Sequence, residues 1–228
     1  AGAHSLEKTQ NGRGLLLGGA PGVQPGRVLI LGGGVVGENA AIIAVGMQAV
    51  VSIIDKSPQR LKELHSKFGD AIIPIQSDEI DLQKHIQNCD LLIGGVLVPG
   101  ANAPKLVSKE MISSMKRGSV VVDVAIDQGG CVETSKPTTH ANPTYMVGDI
   151  VHYCVTNMPG GVPMTSTLAL NAATLPFVLK LAQEGYKNAL ASDANFLAGL
   201  NICQGNVTYK AVADDLNYEY IEASSAIN

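Results

Sequence analysis

Three glycines and one carboxylate carry the clearest chemical signal in this sequence. Gly32, Gly34 and Gly37 form a G-x-G-x-x-G pattern directly after the apolar run Arg27-Val-Leu-Ile-Leu31. Asp55 closes the next apolar run, Val50-Val-Ser-Ile-Ile54, 18 residues after Gly37. At a strand-to-helix turn, the first glycine permits the tight bend, the second lets backbone approach a pyrophosphate, and the third lets the helix pack closely on its strand. The helix opened by Val35 and Val36 then aims unsatisfied N–H groups and its positive dipole end at the phosphates. An acidic side chain about 20 residues further on accepts hydrogen bonds from ribose hydroxyls and repels a 2′-phosphate. The expected cofactor is therefore NAD(H), not NADP(H). Lys56 and Arg60 are cations close enough in sequence to tolerate a phosphate, and a mere cap on a helix starting near Ser57-Pro58 is the plainer alternative for Asp55.

Other chemistry is expected in the loops that follow the strands, because ligands of open parallel sheets bind beyond the carboxyl ends of those strands. The loop Gly94-Gly-Val-Leu-Val-Pro-Gly100-Ala-Asn-Ala-Pro104 is small and apolar, suited to lying along a flat cofactor ring. Asp123-Val-Ala-Ile-Asp127-Gln-Gly-Gly130 sets a carboxylate and a flexible glycine pair at a strand end, and Thr156-Asn-Met-Pro-Gly-Gly-Val-Pro163 follows the last strand. Of the five histidines, only His152 falls near these loops, and a satisfied histidine on the last strand is its plainer reading. His4 and His140 fall in the entry segment and a Thr-rich loop, while His65 and His85 fall on solvated helices.

These loops require an alternation of strands and helices, and the pattern supplies it. Apolar runs at 27–31, 50–54, 71–75, 91–93, 120–124, 145–147 and 152–155 read as strands, with helices over 35–46, 58–67, 79–87 and 109–115. Pro74 puts the third strand at an edge, since proline cannot donate to a ladder. The fold class is α/β, a doubly wound parallel sheet of the Rossmann type. Lys8-Thr-Gln-Asn-Gly-Arg-Gly14 and Gly18-Gly-Ala-Pro-Gly22 read as a turn-rich connector. From about Met164 the tail is helical and strandless, about 60 residues that must pack on something else. The expected division is a dinucleotide domain over 1–163 and a helical second part over 164–228.

Composition bounds the rest. With 228 residues, 46% of them hydrophobic, the chain can bury a substantial core. A net charge of −4 without a basic stripe leaves no footprint for nucleic acid. No apolar run approaches the roughly 18 residues of a membrane span, and no secretory leader pattern is seen at the start. Cys89, Cys131, Cys154 and Cys203 form no C-x-x-C pair, so no metal site is expected and a reducing, cytoplasmic compartment fits. Cys131 and Cys154 read as buried small apolar residues.

Several stretches carry a family resemblance over essentially the whole chain. Val98-Pro-Gly100, Val122-Asp-Val-Ala-Ile-Asp-Gln-Gly-Gly-Cys131, Lys136-Pro-Thr-Thr139 and Asn157-Met-Pro159 resemble bacterial alanine dehydrogenases. The superfamily also contains the nucleotide-binding part of proton-translocating nicotinamide transhydrogenase, which tends to carry Glu where Asp127 stands, so Asp127 favours the dehydrogenase. The resemblance implies reversible oxidation of L-alanine by NAD to pyruvate and ammonium. It implies that Asp55 holds the ribose, that Arg60 lies beside the adenosine, and that Ser77 touches the adenine side. Leu97 would face the cofactor near the nicotinamide through its backbone. Val124, Ile126, Asp127, Asn157 and Met158 would line the nicotinamide and substrate end, with Asp127 catalytic, orienting the amine or the attacking water. It further implies a homohexamer, and a substrate domain begun by residues preceding those matched by Ala1 and rejoined by the C-terminal helices. The family's substrate-clamping Arg and Lys and its proton-transferring His belong to that preceding part, so this chain is expected to supply the NAD-binding half and to be inactive alone. A transhydrogenase subunit and a non-catalytic NAD-binding or assembly module are the alternatives.

Overall fold

The computed structural model describes residues 1–77, 81–96 and 103–227. Seven strands, β1 (Arg27–Leu31), β2 (Val50–Asp55), β3 (Ile72–Gln76), β4 (Leu91–Gly94), β5 (Val120–Asp123), β6 (Thr144–Val147) and β7 (Ile150–Tyr153), form one sheet in the order β3-β2-β1-β4-β5-β7-β6. All neighbours pair in parallel except the β6–β7 hairpin at one edge. Pro74 lies on β3, the opposite edge, where its missing N–H costs no ladder bond.

The central strands are apolar on both faces because both faces are covered. Alternate residues diverge: Leu29, Leu31, Leu92 and Val121 pack with Ile86 and Ile112, whereas Val28, Ile30, Val51, Ile53 and Val122 pack with Ala41, Ala44 and Leu64. The second group lies under α2 (Val35–Gly46) and α3 (Pro58–Phe68), after the short α1 (Gly2–Ser5). The first lies under α4 (Leu82–Asn88) and α5 (Lys109–Ser113). Helix α3 starts where the Ser57 hydroxyl accepts from the Arg60 N–H, has Pro58 in its first turn, and ends at Gly69 with φ of 54°. Ser57 is thus the cap of this helix, which leaves Asp55 for another task.

The entry segment is more than a connector. Leu6 and Leu17 are buried in the core beside Ile30 and Leu91. Turns between them fold the chain back, so that the Leu6 carbonyl accepts from the N–H groups of Gly14 and Leu15. Arg13 then reaches the buried Asp90 carboxylate at 2.7 Å, which also accepts from the Arg27 N–H at 2.8 Å and from Lys116 at 3.3 Å. The glycine-rich composition marks the turns but hides the apolar anchors that flank them.

This first unit runs to Met158, and a second begins at Pro159. In the second, α6 (Pro163–Ala191) breaks its helical path at Gly185 (φ 72°, ψ 157°) and is followed by α7 (Ala194–Leu197), α8 (Lys210–Leu216) and α9 (Ala223–Ala226). The expectation of a strandless tail is corrected here. Strands β8 (Ile202–Cys203) and β9 (Asn206–Val207) form a hairpin whose Gln204-Gly205 turn holds both residues at positive φ, the geometry that suits a two-residue hairpin. Its strands are too short to show a period-2 pattern. Leu190, Cys203 and Ile227 form a small core, and Leu168, Leu170, Leu175, Phe177, Val178 and Leu179 on α6 are exposed. Among the described residues no helix is long and apolar enough to cross a membrane.

A buried polar group braces the sheet edge at β6 and β7. His152 is fully buried; its Nδ1 faces the Ile150 carbonyl at 3.3 Å and its Nε2 faces the Thr134 hydroxyl at 2.8 Å. Because a carbonyl only accepts, Nδ1 carries the proton and Nε2 accepts. The Tyr145 hydroxyl donates to the Thr134 carbonyl at 2.8 Å and accepts from the Lys136 N–H at 2.7 Å. Burial depresses the His152 pKa below its ordinary value, against smaller opposing effects of the Ile150 carbonyl and Asp123. As pH falls below about 6.5 the unfolded chain takes up a proton that the folded chain refuses, so stability falls with pH. Denaturant titrations between pH 7.5 and 5 should show a loss of up to about 1.4 kcal/mol per pH unit from this residue. His152→Gln should remove that part of the slope, and an unchanged slope would assign it to other groups.

Candidate functional site

The site begins where β1 ends. The Gly32 N–H donates to the Ile54 carbonyl at 2.8 Å, and the chain turns through Gly33 and Gly34 into α2. A Cβ on Gly37 would stand 1.8 Å from the Gly32 carbonyl oxygen, so only glycine lets the helix come this close to the strand. A Cβ on Gly34 would meet nothing within 4 Å, which marks open space directly before the helix. The N–H groups of Val35, Val36 and Gly37 start the helix and have no intrahelical acceptor. The residues present therefore fit a dinucleotide: a space bare of side chains, a row of unsatisfied donors, and a carboxylate at the loop.

That carboxylate is Asp55, at the end of β2. One oxygen accepts from the Gly33 N–H at 2.7 Å and the other from the Ser57 N–H at 2.8 Å. Each keeps a further lone pair for a hydroxyl. Arg60 holds the other end of the same residue, donating from Nε to the Gly33 carbonyl at 2.6 Å. Its two terminal nitrogens pair with Glu38 and Glu63, and Glu38 also pairs with Lys67. These contacts hold the Glu38 carboxyl below the usual carboxylate range, Lys67 most and Arg60 next. Gly32, Gly34, Val35, Val36, Gly37, Asp55 and Arg60 are thus brought together in one bonded unit. Ser77, half-buried, follows β3 on the same edge of the sheet.

The second group follows β5, where Val124–Gln128 form a 3-10 turn. Val124 is half-buried and Ile126 buried, while Asp127 is exposed and its carboxylate has no hydrogen bond or ion pair among the described residues. Register places Asp123 opposite Gly94, so this turn and the start of the 94–104 loop emerge side by side. Beneath the turn, the fully buried Asp123 accepts from the Val132 N–H at 3.1 Å and the Cys131 thiol at 3.6 Å. Burial chiefly, and then the Asp123 charge, push the Cys131 thiol up to about 12, and burial raises Cys154 as well. Both cysteines are buried, un-ionised packing groups. Gly130, with φ of 77°, is needed because a Cβ there would stand 2.7 Å from the Asp123 carboxylate. Asn157, at φ 55°, and Met158 follow β7, the strand beside β5. Met158 packs against the core, and the Asn157 carbonyl accepts from His140 Nε2 at 3.0 Å. Leu97 and the Val98-Pro-Gly100 stretch lie outside the described residues.

Sequence reasoning missed four participants. Gly33, the unmarked middle residue of the loop, is the one that Asp55 and Arg60 grip. Glu38 and Lys67 are 29 residues apart and meet only in space. His140 read as part of a loop and instead holds the Asn157 turn. Of these, only Glu38, an acid in the first turn of the phosphate-facing helix, was open to notice from position alone. No group of three or more potential metal ligands is found among the described residues.

A family model described as the C-terminal domain of alanine dehydrogenase/PNT matches residues 1–210. The alanine dehydrogenase of Halomonas elongata is 58% identical over 227 residues, covering all of this chain and 61% of that protein. A solved L-alanine dehydrogenase structure superposes with a TM-score of 0.86 at 51% identity, over 95% of this chain and 60% of the other. A transhydrogenase structure from Sinorhizobium meliloti gives a TM-score of 0.62 at 31% identity, over 73% of this chain and 47% of the other. The chain thus spans about 61% of the length of the curated relatives that it matches. With the family model matching most of its length, the chain belongs to the alanine dehydrogenase/PNT C-terminal domain family.

Proposed function

We propose that this chain is the NAD-binding part of an alanine dehydrogenase, which converts L-alanine, NAD⁺ and water to pyruvate, ammonium, NADH and a proton. The observation that carries the reading is the pairing of two features on one edge of the sheet. One is the open glycine turn gripped by Asp55; the other is Asp127, exposed and unpaired among the described residues. The names of the relatives support it, as does the larger similarity to the dehydrogenase than to the transhydrogenase. The same reading takes residues 1–163 as the NAD-binding domain and 164–228 as part of a substrate domain. It makes the protein a cytoplasmic homo-oligomer, hexameric by family resemblance, and the exposed apolar side chains along α6 suit association.

Each residue then has a physical task. The N–H groups of Val35, Val36 and Gly37 hold the pyrophosphate, and Gly34 leaves room for it. Asp55 accepts from the ribose hydroxyls through the lone pairs that Gly33 and Ser57 leave free. Ser77 and Arg60 border the adenosine, while Leu97, Val124, Ile126, Asn157 and Met158 border the nicotinamide and substrate end. When bound, the nicotinamide supplies the acceptor for the hydrogen and electron pair that leave the alanine Cα. Asp127 orients the amine or the attacking water and takes a proton from it at a carboxylate oxygen, and its exposure on a short turn lets it reach a ligand.

Four outcomes are expected. NADH should bind at least about tenfold better than NADPH, a difference of about 1.4 kcal/mol; equal affinities by fluorescence titration would overturn the assignment of Asp55. Gly34→Ala should leave the melting temperature close to wild type and weaken NADH binding at least about tenfold, since its Cβ enters only the phosphate space. Gly37→Ala should instead destabilise the fold by about 2–3 kcal/mol through its clash with the Gly32 carbonyl. In the protein extended to the length of its relatives, Asp127→Asn should keep NADH binding and lower alanine turnover by about a hundredfold or more. Turnover within a factor of about three of wild type would remove Asp127 from the chemistry.

A further inference from the structure

The glycine loop is flanked by more positive charge than an NAD site needs. Arg60 bonds the Gly33 carbonyl while Asp55 bonds the Gly33 N–H, so the guanidinium and the carboxylate assigned to the ribose grip the two ends of a single residue. A guanidinium near that carboxylate is the group that accommodates a 2′-phosphate in NADP-binding sheets, because its fork matches phosphate oxygens. Lys67 adds a second cation from the same helix. Asp55 by itself therefore does not explain a preference for the unphosphorylated ribose.

We infer that Glu38 is the second specificity determinant of this site: it occupies Arg60 and Lys67 and so withholds them from a 2′-phosphate. The geometry supports this at every nitrogen of Arg60. Nε is used by Gly33, one terminal nitrogen by Glu38, and the other by Glu63 at 3.1 Å. The second Glu38 oxygen takes the Lys67 ammonium. Two carboxylates thus balance two cations. Glu38 is half-buried whereas Glu63 is exposed, so the Glu38 contact is the less screened. Its place in the first turn of α2 explains how it is kept there, since an acid is favoured beside the positive helix end. Lys56, exposed and without an ion pair among the described residues, is common to every variant below and does not affect their comparison.

The inference rests on the NAD-binding reading, and the experiment separates the two. Dissociation constants of NADH and NADPH are measured by fluorescence titration on the 228-residue chain, together with melting temperatures, for wild type and for Glu38→Gln, Glu63→Gln, Asp55→Ala and the pairs Asp55→Ala/Glu38→Gln and Glu38→Gln/Arg60→Gln. Glu38→Gln should raise the relative affinity for NADPH over NADH by about tenfold, and by about the same factor in the Asp55→Ala background. Glu63→Gln, at an exposed position that folding tolerates, should shift it the same way by about threefold. Adding Arg60→Gln should cancel the gain. A loop that was merely loosened would weaken both dinucleotides together and leave the ratio in place. A ratio within about twofold of wild type in Glu38→Gln, with Asp55→Ala still shifting it, overturns the role of Glu38 alone. Should Glu38→Gln not fold, Glu38→Asp, which keeps the charge beside the helix end but shortens its reach to Arg60 and Lys67, carries the same test: a ratio within about twofold of wild type overturns the role. If wild type binds neither dinucleotide, both this inference and the NAD reading fail.

Discussion

The approach of α2 to the end of β1 is the contact on which the rest of the first unit depends. With 1.8 Å between the Gly32 carbonyl oxygen and the place where a Gly37 Cβ would lie, the helix start is pressed against the strand end with no side chain between them. That closeness sets the position of the first-turn N–H groups. It also presents Gly33 to β2 and α3, where Asp55 takes its N–H and Arg60 its carbonyl. A loop so held pays little ordering entropy when a ligand arrives, which is the benefit of preorganisation. Glu38 belongs to the same contact, because the helix that approaches the strand also carries it to Arg60 and Lys67.

A different kind of constraint organises the far side of the site. Buried carboxylates replace ordinary loop packing: Asp123 is wholly enclosed and grips the Cys131-Val132 peptide, and at the opposite, amino ends of the strands Asp90 collects Arg13, Lys116 and the Arg27 N–H. A buried polar group that lost its partners would cost about 1–3 kcal/mol, so each of these fixes the segment that it binds. Asp123 fixes the return of the chain after the Asp127 turn, and His152 with Tyr145 fixes the stretch beyond it. The exposed Asp127 thus stands on a short turn tied down on both sides, which suits the role proposed for it.

The elements of the sheet were nearly all legible. Helix α2 and strand β1 have the limits that the pattern predicts, since runs buried on both faces read as continuous apolar stretches and the glycine turn marks their junction. The edge position of β3 followed from Pro74 alone. Two features were not legible for a common reason, their shortness. The β8–β9 hairpin has two residues per strand, and the anchoring of Leu6 and Leu17 rests on single apolar residues between turns, so neither generates a period.

What the sequence by itself determined is whatever depends on backbone stereochemistry and near neighbours: the strand-turn-helix, its tolerance of glycine alone at position 37, the acid at the end of β2, and the carboxylate in the turn after β5. What the tertiary structure decided is which charges meet. Asp55 could have capped α3, but Ser57 does so, and the carboxylate is left to grip Gly33. Arg60 could have stood open to a phosphate, but Glu38 and Glu63 close on it. His152 could have served chemistry, but Thr134 and the Ile150 carbonyl satisfy it inside the sheet edge. Each of these outcomes depends on distances between groups far apart along the chain, since hydrogen bonds are lost beyond about 3.5 Å and exposed charges are screened beyond about 10 Å. Residue spacing in the sequence carries no such distances until the sheet has brought its strands into register.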